Sequence, residues 1–512
     1  MAWGRLLMVA DLLGFATVFV LLAWTGSRRA RGENEFLVAD RSLGLFPLVA
    51  TLVMTEFNTS TLMAFSAAGY RAGPMALALP FVFLVGLTFY TVTVARAWKR
   101  FDRLSVAELF SVRYSTALGR LVSIMLLLAM TGFSATYVKS LTLLAQPLLP
   151  HAPFGVLSAA LTATVLMVVL PGGLVSVVRS DVVSFLITLA VLPVLLAAGA
   201  ASSAPLGGLA AAFPADQLVF NPVAQWNHHA LPFRFVSTLI VLTCFTYIAA
   251  PWYGQKIFAA RNERTAFAAV AWAAILVFAF YGVMVLAAAH FRVVSPSLAD
   301  SQAAVPAMVA AWLPAGLRGV GFAVLFAAAL TTLAGVWTAM AAMVAADFGW
   351  RESRYVGRQR WIVVGFALAS WLGGVFLVDD ILNRLILANI PVAALAFALL
   401  AGFHWRRANA AGAWASVIVG VAWGVGSFLV VGESGGYTWP WAMYGIPLIF
   451  ATGVIVSLIT PADAARSAAG GRSSGNGPSH PRPRRRRPRS CRNPAAPRRA
   501  ADRGGPADAH QS

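Results

Sequence analysis

Three ionisable side chains fall well inside apolar stretches of this chain: Glu56, Lys139 and Asp181. A fourth, Asp11, belongs to a first segment that reads as peripheral. A charge at the centre of a membrane helix costs roughly 2.5–3.5 kcal/mol on insertion scales, so by default such residues mark an ion or solute path. The alternative is a structural pair holding helices together, for instance Glu56 with Lys139. Glu56 has the most polar setting. Residues 48–73 are apolar enough to cross a bilayer, yet their middle reads Thr55-Glu56-Phe57-Asn58-Thr59-Ser60-Thr61. Several of these side chains bond local backbone and so loosen a helix. This pattern predicts a helix interrupted at mid-membrane, with freed carbonyls facing a cavity. The alternative is a continuous helix whose polar face packs against its neighbours.

A second set of oxygens lies far along the chain, where Thr331 and Thr332 follow each other in a run of small residues, 326–335. Two neutral hydroxyls suit sodium, a hard ion that takes oxygen ligands. Freed carbonyls near Met54 and Phe57 could complete the shell. Threonines in membrane helices more commonly bond their own helix or a neighbour, so that reading stays open. The two cysteines, Cys244 and Cys491, make neither a disulfide framework nor a metal motif, and the seven histidines show no ligand spacing. His228-His229 lie in a loop and read as solvated.

The elements that must position these groups are membrane helices. The 512 residues are 59% hydrophobic and 11% charged, with mean hydropathy +0.74, against about 25% charged in a soluble domain. Apolar stretches occupy 6–25, 44–69, 75–97, 118–149, 154–170, 174–201, 235–253, 266–290, 317–346, 361–378, 385–403, 411–431 and 441–459. They predict an all-α polytopic membrane protein of about thirteen spans. The first reads as a retained helix rather than a cleaved signal peptide. One set of loops is rich in arginine and lysine, including Arg96, Lys99, Arg100, Lys256, Arg261 and Arg358, and the other is sparse. The positive-inside rule then puts the amino terminus outside and the carboxyl terminus in the cytoplasm.

Net charge is +20, and nearly half of the excess lies after Thr460 in a Pro/Ala/Gly/Arg tail that cannot bury a core. Such a tail reads as a disordered cytoplasmic extension drawn to anionic lipid head groups. Without interleaved aromatics it gives no support to nucleic-acid binding. No phosphate-loop pattern is present, so the chain does not drive transport with an ATPase of its own. No nucleophile–base pair or metal cluster is visible, and the chain reads as a non-enzyme without an organic cofactor.

Seven segments, in order, resemble the sodium:solute symporter family across most of residues 36–460. They are Phe36-Leu-Val-Ala-Asp-Arg41-Ser-Leu-Gly44, Gly69-Tyr70-Arg-Ala-Gly73, and Ser105-Val-Ala-Glu108 through Arg113-Tyr114. Next come Gly172-Gly173 through Ser180-Asp181, then Gln255 through Arg261, and Ala328-Ala-Leu-Thr331-Thr332 with Asp347 beyond it. The last runs from Gly402 through Trp405 and Asn409 to Gly412. The resemblance implies a LeuT-type core of five-plus-five inverted repeats. An accessory first helix would occupy 1–35, the two halves 36–204 and 205–404, two accessory helices 405–460, and the tail 461–512. The first helix of each half should be discontinuous, in the second half near Pro251.

The resemblance also implies a sodium site made from the carbonyls of Met54, Phe57 and Ala328 and the hydroxyls of Thr331 and Thr332, with Asp181 close by. The solute would be held by Glu56, Asn58, Thr59, Ser60 and Thr61, with Thr243, Thr246, Tyr247 and Asn389. Lys139 joins them, as a hint of an anion, if it faces the cavity. The activity implied is sodium-coupled symport of a small organic solute by alternating access in the cell membrane. Where many relatives carry a neutral residue or an aspartate this chain has Glu56, and a carboxylate at membrane depth can also carry a proton. Proton coupling through Glu56 and Asp181 is therefore one alternative, and a transporter-like solute sensor another.

Overall fold

In the computed structural model the described residues are 2–26, 32–146, 149, 151–349, 356–379 and 381–461. The arginine-rich tail expected beyond 461 lies outside them. Among the described residues, every apolar stretch named above is mainly helical. The helices are α1 (Ala2–Gly26), α2 (Leu45–Glu56), α3 (Thr59–Ala72), α4 (Ala78–Thr93), α5 (Thr116–Ala145), α6 (Phe154–Gly172) and α7 (Leu174–Ser203). They continue as α8 (Phe233–Tyr247), α9 (Pro251–Ala259), α10 (Glu263–Val294), α11 (Leu317–Asp347) and α12 (Val356–Phe376). The last four are α13 (Ile381–Ala393), α14 (Ala396–His404), α15 (Ala410–Val431) and α16 (Thr438–Ile459).

Among the described residues, nine helices are long and apolar enough to cross a bilayer, or eleven if the bent pairs α8/α9 and α13/α14 each count as one span. The expected thirteen also counted α1 and divided residues 44–97 differently. That region is α2, a break, and then α3 running through a short 3-10 turn at Gly73–Leu77 into α4. The two breaks that matter interrupt α2/α3 and α8/α9, the latter bent by 49°. Pro251 begins α9 rather than kinking a continuous helix, because a proline lacks only a donor that the first turn leaves unpaired.

Packing follows composition. Helix α11 is built of Ala, Gly, Thr and Val, and 94% of its best apolar window is buried, against 22% for α15. Small side chains let neighbouring backbones approach closely where lipid gives no hydrophobic drive. Helix α10 packs along α2, α3 and α4, and at Gly69 a Cβ would lie 2.4 Å from the Val285 carbonyl oxygen. Helix α1 packs on α7 and α11. Asp11 accepts the Gly316 N–H at 2.8 Å and pairs with Arg318 at 2.6 Å, anchoring the start of α11. Just ahead of α2, the Leu43 N–H donates to Ala259 O (3.0 Å) and Leu43 O accepts from the Arg261 N–H (2.9 Å), tying the entry of α2 to the exit of α9.

Candidate functional site: a broken helix beside a pair of threonines

The first break lies where the sequence places polar residues. Phe57 leaves the helical region (φ −75°, ψ 68°) and Asn58 is extended (φ −99°, ψ 157°). The Asn58 side chain accepts the Thr61 N–H at 2.9 Å, capping α3. Its own N–H turns to the Glu56 carbonyl at 2.8 Å, and its side-chain amide donates to the same oxygen at 2.9 Å. The Tyr281 hydroxyl also donates there. In an unbroken helix the Asn58 and Thr61 N–H groups would serve the carbonyls of Met54 and Phe57. Committed elsewhere, they leave those two oxygens without helical partners.

Helix α11 brings the threonines to this break, both 1% exposed. Thr332 Oγ1 lies 2.8 Å from the Ala328 carbonyl, 3.2 Å from Met54 O and 3.4 Å from Thr55 O. Thr331 Oγ1 lies 3.4 Å from Ala328 O and also against the Asp181 carboxyl. Met54, Ala328 and Thr332 thus meet directly, with Phe57 at the break and Thr331 turned toward Asp181. The donors that meet at the break are neutral oxygens, threonine hydroxyls and backbone carbonyls, with the Asp181 carboxyl behind Thr331. That set fits a hard monovalent ion and not a soft or strongly charged one.

Asp181, fully buried, has a partner that the sequence reading placed in a cytoplasmic loop. Lys256 is 1% exposed on α9. Its ammonium donates to Asp181 Oδ2 at 3.2 Å, to the Thr51 carbonyl at 2.8 Å and to the Thr55 hydroxyl. The Thr51 hydroxyl donates to the same carboxylate. Helix α9 is a short segment after the Pro251 break, and all nine of its residues are buried, Lys256 included; nothing in the local sequence discloses this.

A cavity of about 100 Å³ lies beyond the break and is lined by six of the ten predicted solute contacts: Asn58, Thr61, Thr243, Thr246, Tyr247 and Asn389. Glu56 lies one hydrogen bond behind the wall, accepting from the Tyr247 hydroxyl. The other three require correction. Thr59 and Ser60 face α5, bonding Ser140 Oγ at 2.8 and 2.9 Å. Lys139 turns to the far side of α5, where its ammonium lies 4.5 Å from the centre of the Phe154 ring. It neither faces the cavity nor pairs with Glu56. Aromatic walls at Phe133, Tyr137 and Trp252 were not anticipated; nothing in their local sequence separates them from core.

A core of helices with two paired breaks, one next to hydroxyls on a buried central helix, defines a LeuT-type secondary transporter. The sequence pattern of the sodium:solute symporter family matches residues 36–420. The chain belongs to this family, and sodium-coupled symport of a solute is its activity. It is 25% identical over 431 residues to the sodium/pantothenate symporter of Escherichia coli (strain K12), covering 79% of this chain and 86% of that one. The corresponding protein of Haemophilus influenzae is 22% identical over 432 residues, with 80% and 86% covered. In structure, a sodium-coupled sialic acid symporter in its outward-open state matches with TM-score 0.74 at 16% identity, over 89% of this chain and 99% of that one. These relatives are transporters, and the fold is theirs.

Proposed function

We propose that the coupling sodium binds between Met54, Phe57, Ala328, Thr331 and Thr332, and that the solute binds in the adjoining cavity against Asn58, Thr61, Thr243, Thr246, Tyr247 and Asn389. The observation that carries this reading is the approach of Thr332 Oγ1, bonded within its own helix to Ala328 O, to Met54 O across the break. Sodium there joins α2 to α11, and rocking of the broken helices against the rest exposes ion and solute to the other side. The driving energy includes about 2.3 kcal/mol per charge per 100 mV of membrane potential.

The cavity wall carries hydroxyls, amides and aromatic rings but no basic side chain among the described residues, and the Glu56 carboxylate lies behind it. That lining suits an uncharged or cationic organic solute better than a carboxylate. The protein sits in the plasma membrane by this reading, with its amino terminus outside, and its arginine-rich tail lies on anionic head groups of the inner leaflet. A thermal-shift screen of candidate solutes with and without sodium identifies the cargo. Uptake of that solute into proteoliposomes then tests the ion site. Thr331→Ala and Thr332→Ala should each weaken sodium activation far more than expression, and unchanged sodium activation in both removes the site.

A further inference from the structure

Lys256 crosses between helices in a way the transport reading above does not use. Its ammonium, carried on α9, reaches α2 through Thr51 and Thr55 and α7 through Asp181, and lies against α11, where a Cβ on Gly335 would stand 3.8 Å from Nζ. An ammonium has three donors and no acceptor, and each of these donors has an oxygen: a carbonyl, a hydroxyl and a carboxylate. A second hydroxyl, that of Thr51, closes on the same carboxylate. The group is buried on every side, with Lys256 1% and Asp181 0% exposed.

Remove the ammonium from this arrangement and what remains is a buried cage of hard oxygens around one negative charge. Those are the ligands a small monovalent cation takes. A buried carboxylate stripped of its partner is strongly destabilising, so the cage would draw in a replacement. It lies within a helical turn of the sodium site, since on α2 Thr51 comes three residues before Met54 and Thr55 directly after it.

We propose that this cage is a second cation site filled by the chain's own ammonium. Lys256 stands where a further sodium ion would otherwise bind. The inference rests on the sodium site proposed above and sets its stoichiometry. A tethered cation moves with α9 and never leaves with the solute, so the protein carries one sodium per cycle rather than two. It holds Asp181 neutralised in both sodium-loaded and sodium-free forms, which a diffusible ion cannot do.

The test counts sodium ions bound to the full-length protein in nanodiscs with radioactive sodium, alongside the Hill coefficient for sodium-induced thermal stabilisation, which cannot exceed the number of interacting sites. Wild type and Lys256→Arg should bind one ion with a coefficient of about one. Lys256→Met, which keeps the length but not the charge, should bind two, with the coefficient rising toward about two. The double variant Asp181→Asn/Lys256→Met, which buries no net charge, should return to one. Lys256→Met/Thr332→Ala should also keep one, the ion in the cage. Two ions bound by the wild type, or a single ion in Lys256→Met, overturns the inference. Should Lys256→Met denature when purified, the wild-type count still decides, and recovery of that variant in high sodium supports the cage. A wild type that binds no sodium at all refutes instead the site between α2 and α11.

Discussion

The two helix breaks hold related positions in the two halves of the core, yet they do different work. At the first, Asn58 and Tyr281 gather on the Glu56 carbonyl, and the oxygens of Met54 and Phe57 lose their helical partners, Met54 O meeting the Thr332 hydroxyl instead. At the second, local turns close the corresponding groups. The Ala249 N–H bonds Thr246 O at 3.1 Å and the Ala250 N–H bonds Tyr247 O at 3.0 Å, while Trp98 Nε1 donates to Ile248 O at 2.9 Å. The first break therefore offers backbone to an ion. The second, with its carbonyls satisfied, offers side chains: Tyr247 to Glu56 and the cavity, and Lys256 to Asp181. A discontinuous helix is a means of freeing backbone oxygens, and whether they stay free depends on where the neighbouring N–H groups turn.

Five substitutions break or sharpen this contrast. The largest effect is expected from Asn58→Ala. Loss of the cap alone costs about 1 kcal/mol. The released Thr61 N–H can also turn back to the Phe57 carbonyl, so sodium stabilisation in a thermal-shift assay should nearly vanish. Next comes a matched pair of hydroxyl deletions, one at each break. Thr332→Ala should weaken sodium binding roughly tenfold, equivalent to about 1.4 kcal/mol. Thr246→Ala should leave it unchanged, because Thr246 Oγ1 bonds back to Leu242 O at 2.8 Å and meets no freed carbonyl. Equal losses in the two variants would erase the distinction.

Tyr247→Phe should act on the solute alone. It removes the hydroxyl that holds Glu56 at the cavity wall, so solute affinity should fall severalfold in uptake assays while the sodium midpoint stays in place. The smallest effect belongs to Lys139→Gln. An ammonium over an aromatic ring contributes about 0.5–1 kcal/mol at an accessible site, so a slight drop in melting temperature with normal transport is expected. A loss of uptake there would restore Lys139 to the solute path.

How much of this was legible in the sequence depended on whether a signal was local. Asn, Thr and Ser at 58–61 inside an apolar stretch are capping chemistry, and they disclose the break and the helix start that follows. Side-chain direction is not local. Residues 58, 61 and 65 recur on the face of α3 that lines the cavity, whereas 59 and 60 fall on the face bonded to α5; the run alone does not say which face looks inward. Lys256 was hidden for a different reason. Basic residues near span ends ordinarily sit in loops on the inner face, and only the long-range approach of Thr51 and Asp181 makes this one a buried cation. Lys139 erred in the opposite sense: it lies inside a span but on its outer side.

Amide hydrogen exchange in nanodiscs, with sodium compared against potassium, tests the bridge between α2 and α11 without knowledge of the solute. Sodium should slow exchange at residues 54–62 and 328–332 together in the wild type, and in Thr332→Ala should do so only at roughly tenfold higher concentration. Protection that is the same in both salts, or that survives the loss of the Thr332 hydroxyl intact, contradicts a sodium ion joining the broken helix to the threonine pair.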